Sequence, residues 1–246
     1  MYKLIIFDLD GPILDSFQAA KDSIFFARKE TVRKKLIPAK ELPELDEESI
    51  VGCWGYPGQL TLAKIFPHLT EKHLEGFVKT WIKNEKKREL KLVKGADEAL
   101  SQIKKEKYYT GLLTSRSHNL GFHLKNLDLE NLFDFIQSWR NPNLKEKKLI
   151  HKNHIISPLY KPNPLVFKKI FKWARQRKVF PENTMLVDDT LVGLNTAKFA
   201  EISFLGVCTG PLNSKEKWQR YGNLPGKYVI KSIAELPEWL KENMRP

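Results

Sequence analysis

A chain of 246 residues with 41% hydrophobic content is long enough for one large α/β domain, or for a core carrying an inserted module. Lys and Arg total 42 against 29 Asp and Glu, so the net charge is +13, a field that draws in anions, small or polymeric. The two cysteines, Cys53 and Cys208, exclude a disulfide scaffold. No apolar run approaches the roughly 20 residues of a membrane-spanning helix, so a cytoplasmic protein with no membrane partner is expected.

The first run, Leu4-Ile5-Ile6-Phe7, is short and continuously apolar, the pattern of a buried parallel strand. It leads too soon into acids to be a signal peptide. Residues 17–92 read as a helical insert. Phe17, Ala20, Ile24 and Ala27 recur at helical spacing behind Asp15 or Ser16 as cap. Pro38 and Pro43 mark a break. Leu74, Phe77, Val78, Trp81 and Ile82 form an apolar stripe with Thr70 as N-cap, and no strand pattern interrupts the region.

From Lys94-Gly95 onward strand and helix alternate. Helices are predicted over 96–105, 120–127, 165–175 and 195–200. Strands are predicted over 109–114, 133–137, 185–187 and 203–207. An amphipathic tail helix carries Ile233, Leu236, Trp239 and Leu240. Such alternation implies a parallel sheet with right-handed crossovers. Residues 139–160 read as one long basic connection holding Arg140, Lys145, Lys147, Lys148 and Lys152, either a functional segment or a surface loop.

The chemistry gathers at strand ends. Asp8 and Asp10 lie one residue apart where the first strand stops, so they project to the same side. Acids at the carboxyl edge of an open sheet sit where such folds place ligands, although Asp-Gly is also common turn chemistry. Two carboxylates that close ask for a metal, a proton on one of them, or both. Three later segments follow: Thr114-Ser115-Arg116 after the 109–114 strand, Lys161 in Tyr160-Lys161-Pro162, and Asp188-Asp189-Thr190 after the 185–187 strand.

This order of acid pair, hydroxyl, lysine and acid pair resembles the haloacid dehalogenase-like superfamily of phosphohydrolases. The spacing between the first two motifs is similar to members with an inserted helical cap, the phosphoglycolate phosphatase group among them. The resemblance implies a Rossmann-like three-layer α/β core, 1–16 and 93–246, with an all-helical cap domain at 17–92. It implies Mg²⁺-dependent hydrolysis of a small phosphorylated metabolite through an aspartyl-phosphate.

By that resemblance Asp8 is the nucleophile and Asp10 the general acid and base. Thr114, Ser115 and Lys161 hold the phosphoryl group. Asp8, the backbone carbonyl of Asp10, and Asp189 with Asp188 hold the metal. Ala197 and Ala200 set a register in which Asp188 replaces a common glycine and Gly193 replaces a second acid, which implies weakened metal binding.

The less favoured readings are a nucleotide or nucleic-acid-end phosphatase, prompted by the charge, and a binding protein on a degenerate core, prompted by Gly193. Sugar phosphomutases share the first acid pair. His151 and His154 find no partner at zinc-like spacing. Cys53 falls in a loop with Gly52, Gly55 and Gly58, which either faces substrate or is a structural turn. The sequence carries no sign of oligomeric state.

Overall fold

The computed structural model describes residues 1–42, 44, 46–116, 119–140 and 153–243. The chain starts in β1 (Leu4–Phe7), turns through the two-residue β2 (Leu14–Asp15), and enters four helices. These are α1 (Phe17–Arg33), α2 (Glu47–Cys53), α3 (Gly58–Ile65) and α4 (Glu71–Glu85). It returns through β3 (Lys91–Leu92) into α5 (Ala96–Lys105), β4 (Tyr109–Thr114), α6 (Leu120–Asn126), β5 (Phe135–Trp139) and β6 (His154–Ser157). Next come α7 (Lys168–Arg175), β7 (Thr184–Asp188), α8 (Leu191–Phe199), β8 (Ser203–Val207), α9 (Lys215–Gly222), β9 (Val229–Ile230) and α10 (Leu236–Asn243).

The main sheet runs β6-β5-β4-β1-β7-β8-β9 with every pairing parallel. The chain builds one side of β1 first and then crosses to the other. The reversal therefore falls at β1, where an open α/β sheet leaves a crevice at its carboxyl edge. Both faces of β1 are covered, which is why it is apolar throughout. Ile5 and Phe7 pack with Leu100, Ile103, Leu124 and Leu240 on one side. Leu4 and Ile6 pack with Phe167, Ile170 and Ala197 on the other. The expected three-layer α/β core is thus present.

The four helices between β2 and β3 have an apolar cluster of their own. Ala20, Ile24 and Ala27 of α1 meet Leu74, Phe77 and Trp81 of α4. Thr70 caps α4, its Oγ1 accepting from the His73 N–H at 3.3 Å. Ser16 occupies the N-cap position of α1 but makes no capping bond. Its side chain instead lines the cavity described below.

Several elements differ from expectation. The region 17–92 is not wholly helical: Lys91–Leu92 pairs antiparallel with Leu14–Asp15, a strand too short to show a period. The 139–160 connection contains β6, which pairs with β5 at the sheet edge. Its Lys145, Lys147, Lys148 and Lys152, with His151 and Pro43, lie outside the described residues. The strand expected at 133–137 runs Phe135–Trp139. The helix expected from 195 starts at Leu191, because Thr190 caps it by accepting from the Gly193 N–H at 2.9 Å. Among the described residues no helix is long and apolar enough to cross a membrane.

Candidate active site

Register delivers the acids to one place. Phe7 pairs with Leu112 on one side and Val187 on the other, so β1, β4 and β7 end close together. The Asp8 N–H donates to the Val187 carbonyl at 2.9 Å, which sets Asp8 beside Asp188 and Asp189. Oxygens of these three carboxylates lie within 4.8 Å of one another, and all three residues are buried. Lys161 lies beneath them, 1% exposed, with Nζ 2.6 Å from Asp188 Oδ2 and 3.1 Å from Asp8 Oδ2.

The volume for this cluster is cleared by glycines. A Cβ on Gly11, which sits at φ +102°, would stand 2.1 Å from Asp189 Oδ2, and one on Gly210 would stand 1.7 Å from it. Gly193 faces the same cluster. A Cβ there would stand 2.1 Å from the Asp188 Cγ. The Asp188 carboxylate already fills the space a side chain at 193 would need. A side chain at 193 would therefore have to displace the Asp188 carboxylate, which stands beside Asp189 in the cluster.

Each carboxylate has a different task in the network. Asp188 is saturated: Oδ1 accepts from the Thr190 N–H at 2.9 Å and its hydroxyl at 2.7 Å, and Oδ2 accepts from Lys161. Asp8 Oδ1 and both Asp189 oxygens are buried without a protein partner. Burial pushes Asp8 up to about 7; Lys161 pulls it down, while Asp188 and Asp10 push it further up. Burial, then the charges of Asp188 and Asp8, hold Asp189 well above the usual carboxylate range. For Lys161 burial opposes the charge, but Asp188 and Asp8 outweigh it and raise its pKa. Three buried acids thus face one ammonium.

Asp10 is held apart. Its side chain is 22% exposed and is gripped by Arg116, with Nη2–Oδ1 at 2.6 Å and Nε–Oδ2 at 2.9 Å. Burial would raise its pKa, yet the Arg116 charge and hydrogen bonds outweigh burial and lower it. The same Arg116 Nη2 reaches Glu85 Oε1 of α4 at 2.9 Å. Thr114 ends β4, and its Oγ1 accepts from the Arg116 N–H at 3.0 Å. The Ser115 hydroxyl donates to the Gly55 carbonyl at 2.8 Å, tying the helical region to the sheet.

A cavity of about 90 Å³ opens between sheet edge and helices. Asp8, Asp10, Thr114, Ser115 and Arg116 line it on one side, and Trp54, Tyr56, Trp81 and Glu85 on the other. Gly55 and Gly58 are on its wall; Cys53 is not. His154 is used structurally, its Nε2 lying 2.9 Å from Ser138 Oγ.

The predicted site residues Asp8, Lys161, Asp188 and Asp189 come together, with Asp10, Thr114 and Ser115 around the cavity above them. Arg116, Glu85, Thr190 and the clearance at Gly11 and Gly210 were not assigned from sequence. Glu85 did leave a trace: it lies four residues past Trp81 on the buried stripe of α4, where an acid needs a partner. Gly210 left none.

Comparisons with known proteins bear on the family and the fold. A family model described as haloacid dehalogenase-like hydrolase matches residues 5–207. Among solved structures, a predicted phosphatase from Clostridium acetobutylicum is similar with TM-score 0.69 and 19% identity, covering 98% of this chain and 99% of that one. A predicted phosphoglycolate phosphatase from Haemophilus somnus gives 0.65 and 18%, covering 96% and 97%. A β-phosphoglucomutase from Clostridium difficile gives 0.63 and 19%, covering 99% of both. At these identities the likeness is one of fold. No curated protein matches the sequence.

Proposed function

The chain belongs to the haloacid dehalogenase-like hydrolase family, and we propose that it hydrolyses a small phosphomonoester through a phosphoryl group carried on Asp8. The observation that supports this most is the buried trio Asp8, Asp188 and Asp189 over Lys161, of which Asp8 lines the cavity. The unpartnered oxygens of Asp8 and Asp189 fit a hard divalent cation such as Mg²⁺, with Asp188 alongside. When bound, that ion supplies positive charge to the phosphoryl oxygens and to the acids.

The remaining work falls to the chain. An Asp8 oxygen attacks phosphorus, and the Asp8–phosphorus bond forms as the ester bond breaks. Lys161 keeps Asp8 ionised as a nucleophile and stabilises charge on the phosphoryl oxygens. Thr114 and Ser115 orient that group. Asp10, which takes up a proton from solvent as substrate binds, gives it to the leaving oxygen and then takes one from the attacking water, which releases phosphate and restores Asp8. Arg116 aims Asp10 and holds it ionised before substrate arrives. A phosphoryl dianion entering beside Asp10 raises its proton affinity and competes for Arg116.

The place of the cavity, between the sheet edge and the helices of residues 17–92, favours a small substrate over a nucleic-acid end. Transfer to a second phosphate, as in a mutase, is less favoured. Arg116 is the one cationic residue lining the cavity among the described residues, and two carboxylates already hold it. We further propose that residues 17–92 act as a cap that excludes water during transfer.

The test is phosphate release from a panel of phosphomonoesters with and without Mg²⁺, with acid quenching to trap labelled protein. Mg²⁺-dependent release and a hydroxylamine-sensitive acyl-phosphate are expected. Absence of release from every ester, at any Mg²⁺ concentration, would overturn the reading.

A further inference from the structure

The wall of the cavity facing the phosphoryl end has no part in the chemistry above, yet its composition is unusual. Trp54, Tyr56 and Trp81 come from the helical region and Trp139 from the end of β5. Tyr160 backs this wall, its ring 6.5 Å from Tyr56 and 6.4 Å from Trp139, both in edge contact. Aromatic walls offer broad, rigid contact to a flat partner at little entropic cost.

Charge points the same way. The ionisable lining residues are Asp8, Asp10, Glu85, Tyr56 and Arg116, and Arg116 is committed to Asp10 and Glu85. Among the described residues, the lining thus holds more acid than base, and its one cation is shared between two carboxylates; the Lys64 ammonium sits over the Tyr56 ring, 4.6 Å from its centroid, and does not line the cavity.

We infer that the leaving group of the ester is a flat, uncharged ring, and that small phosphates carrying a carboxylate are turned away by Glu85. This inference rests on the phosphatase reading. A dianionic phosphoryl group seats against Asp8, Lys161 and Thr114, while the ring lies among Trp54, Tyr56, Trp81 and Trp139. A carboxylate in the ring's place would meet Glu85. Glu85 is then a specificity residue, acting on substrate directly by charge and through its hold on Arg116.

The test uses esters whose leaving groups are all alcohols: 2-phenylethyl phosphate, hexyl phosphate and phosphoglycolate. Expected kcat/KM for the phenylethyl ester exceeds that for hexyl phosphate, and exceeds that for phosphoglycolate by about tenfold or more. Trp54→Ala narrows the first ratio. Glu85→Gln narrows the second by lowering KM for phosphoglycolate. Binding of benzylphosphonate and phosphonoacetate, followed by tryptophan fluorescence with Mg²⁺ present, reads the same preference without turnover.

Equal or better use of hexyl phosphate or phosphoglycolate would overturn the inference and leave the phosphatase reading standing. Hydrolysis of no ester, with benzylphosphonate still bound at least tenfold more tightly than phosphonoacetate, would overturn the catalytic reading alone. Failure of both phosphonates to bind would overturn both.

Discussion

The acid cluster at the sheet edge and the aromatic wall facing it are built on opposite terms. The cluster crowds three carboxylates and a lysine into a space that Gly11, Gly193 and Gly210 keep clear. The wall fills space with large rings and admits charge only as the paired Arg116 and Glu85. The cluster's pieces are placed by the register of three parallel strands, and one step of slippage would scatter them. The wall's pieces come from one helix, a loop and a strand end, and rings of similar size could trade places there at modest cost. The cluster is thus held by backbone pairing, and the wall by packing.

The sharpest way to break this contrast is to disarm the cluster and leave the wall. Asp8→Asn should lower the rate of phosphate release by about 10⁴-fold or more, as loss of a covalent nucleophile does, while benzylphosphonate still quenches tryptophan fluorescence. Near wild-type turnover would remove Asp8 from the role. Asp10→Asn should cost about 10²–10⁴-fold in kcat, measured in steady state, because only proton transfer is lost. An effect on KM alone would place Asp10 in binding instead.

The next effect is on stability. Asp8 holds its proton more tightly folded than unfolded, at about 7 against an ordinary value of 3.8. Its contribution is therefore fully present below the unfolded value and is lost as pH rises toward the folded one. Without Mg²⁺, the stability of Asp8→Asn relative to wild type should grow by about 2–3 kcal/mol between pH 5 and pH 7. Urea titrations at the two pH values measure it; a difference that stays flat would mean the cluster carries no such strain.

Gly193→Asp sharpens the same point. The side chain has to displace the Asp188 carboxylate, so a loss of about 1–3 kcal/mol in stability is expected, with a higher Mg²⁺ requirement. A lower requirement would show that position 193 does accept a ligand. The smallest effect belongs to the helical region alone: Thr70→Ala removes the cap of α4 and should cost about 1 kcal/mol by thermal denaturation, with kcat unchanged.

The contrast also explains what could be read from the sequence. Asp8, Asp188 and Asp189 were legible because each follows a short apolar run, and strand ends in a parallel sheet share one edge; Lys161 was legible only by its place in the order of motifs. The α4 stripe and Thr70 were legible because a helix repeats its own period. Arg116 was visible beside Thr114 but its partners were not, since Glu85 and Asp10 are distant in sequence and meet it only in the fold. The clearance at Gly210 and the exchange of space between 188 and 193 are steric facts between segments, with no local signature. β3, β6 and β9 were missed because two to four residues are too few to establish a period.

One small feature reaches beyond this molecule's chemistry. The strands β2 and β3 lie side by side, Leu14 opposite Leu92 and Asp15 opposite Lys91, and the Val93 N–H closes onto the Ile13 carbonyl at 2.8 Å. Neighbouring antiparallel strands need only a two-residue turn to join them. Everything between Asp15 and Lys91 therefore leaves and re-enters the core at one neck, and touches it again at Val51, Gly55 and Glu85. Because entry and exit are adjacent, a change of length inside that region need not shift the register of β1, β4 and β7, which pair within the main sheet alone.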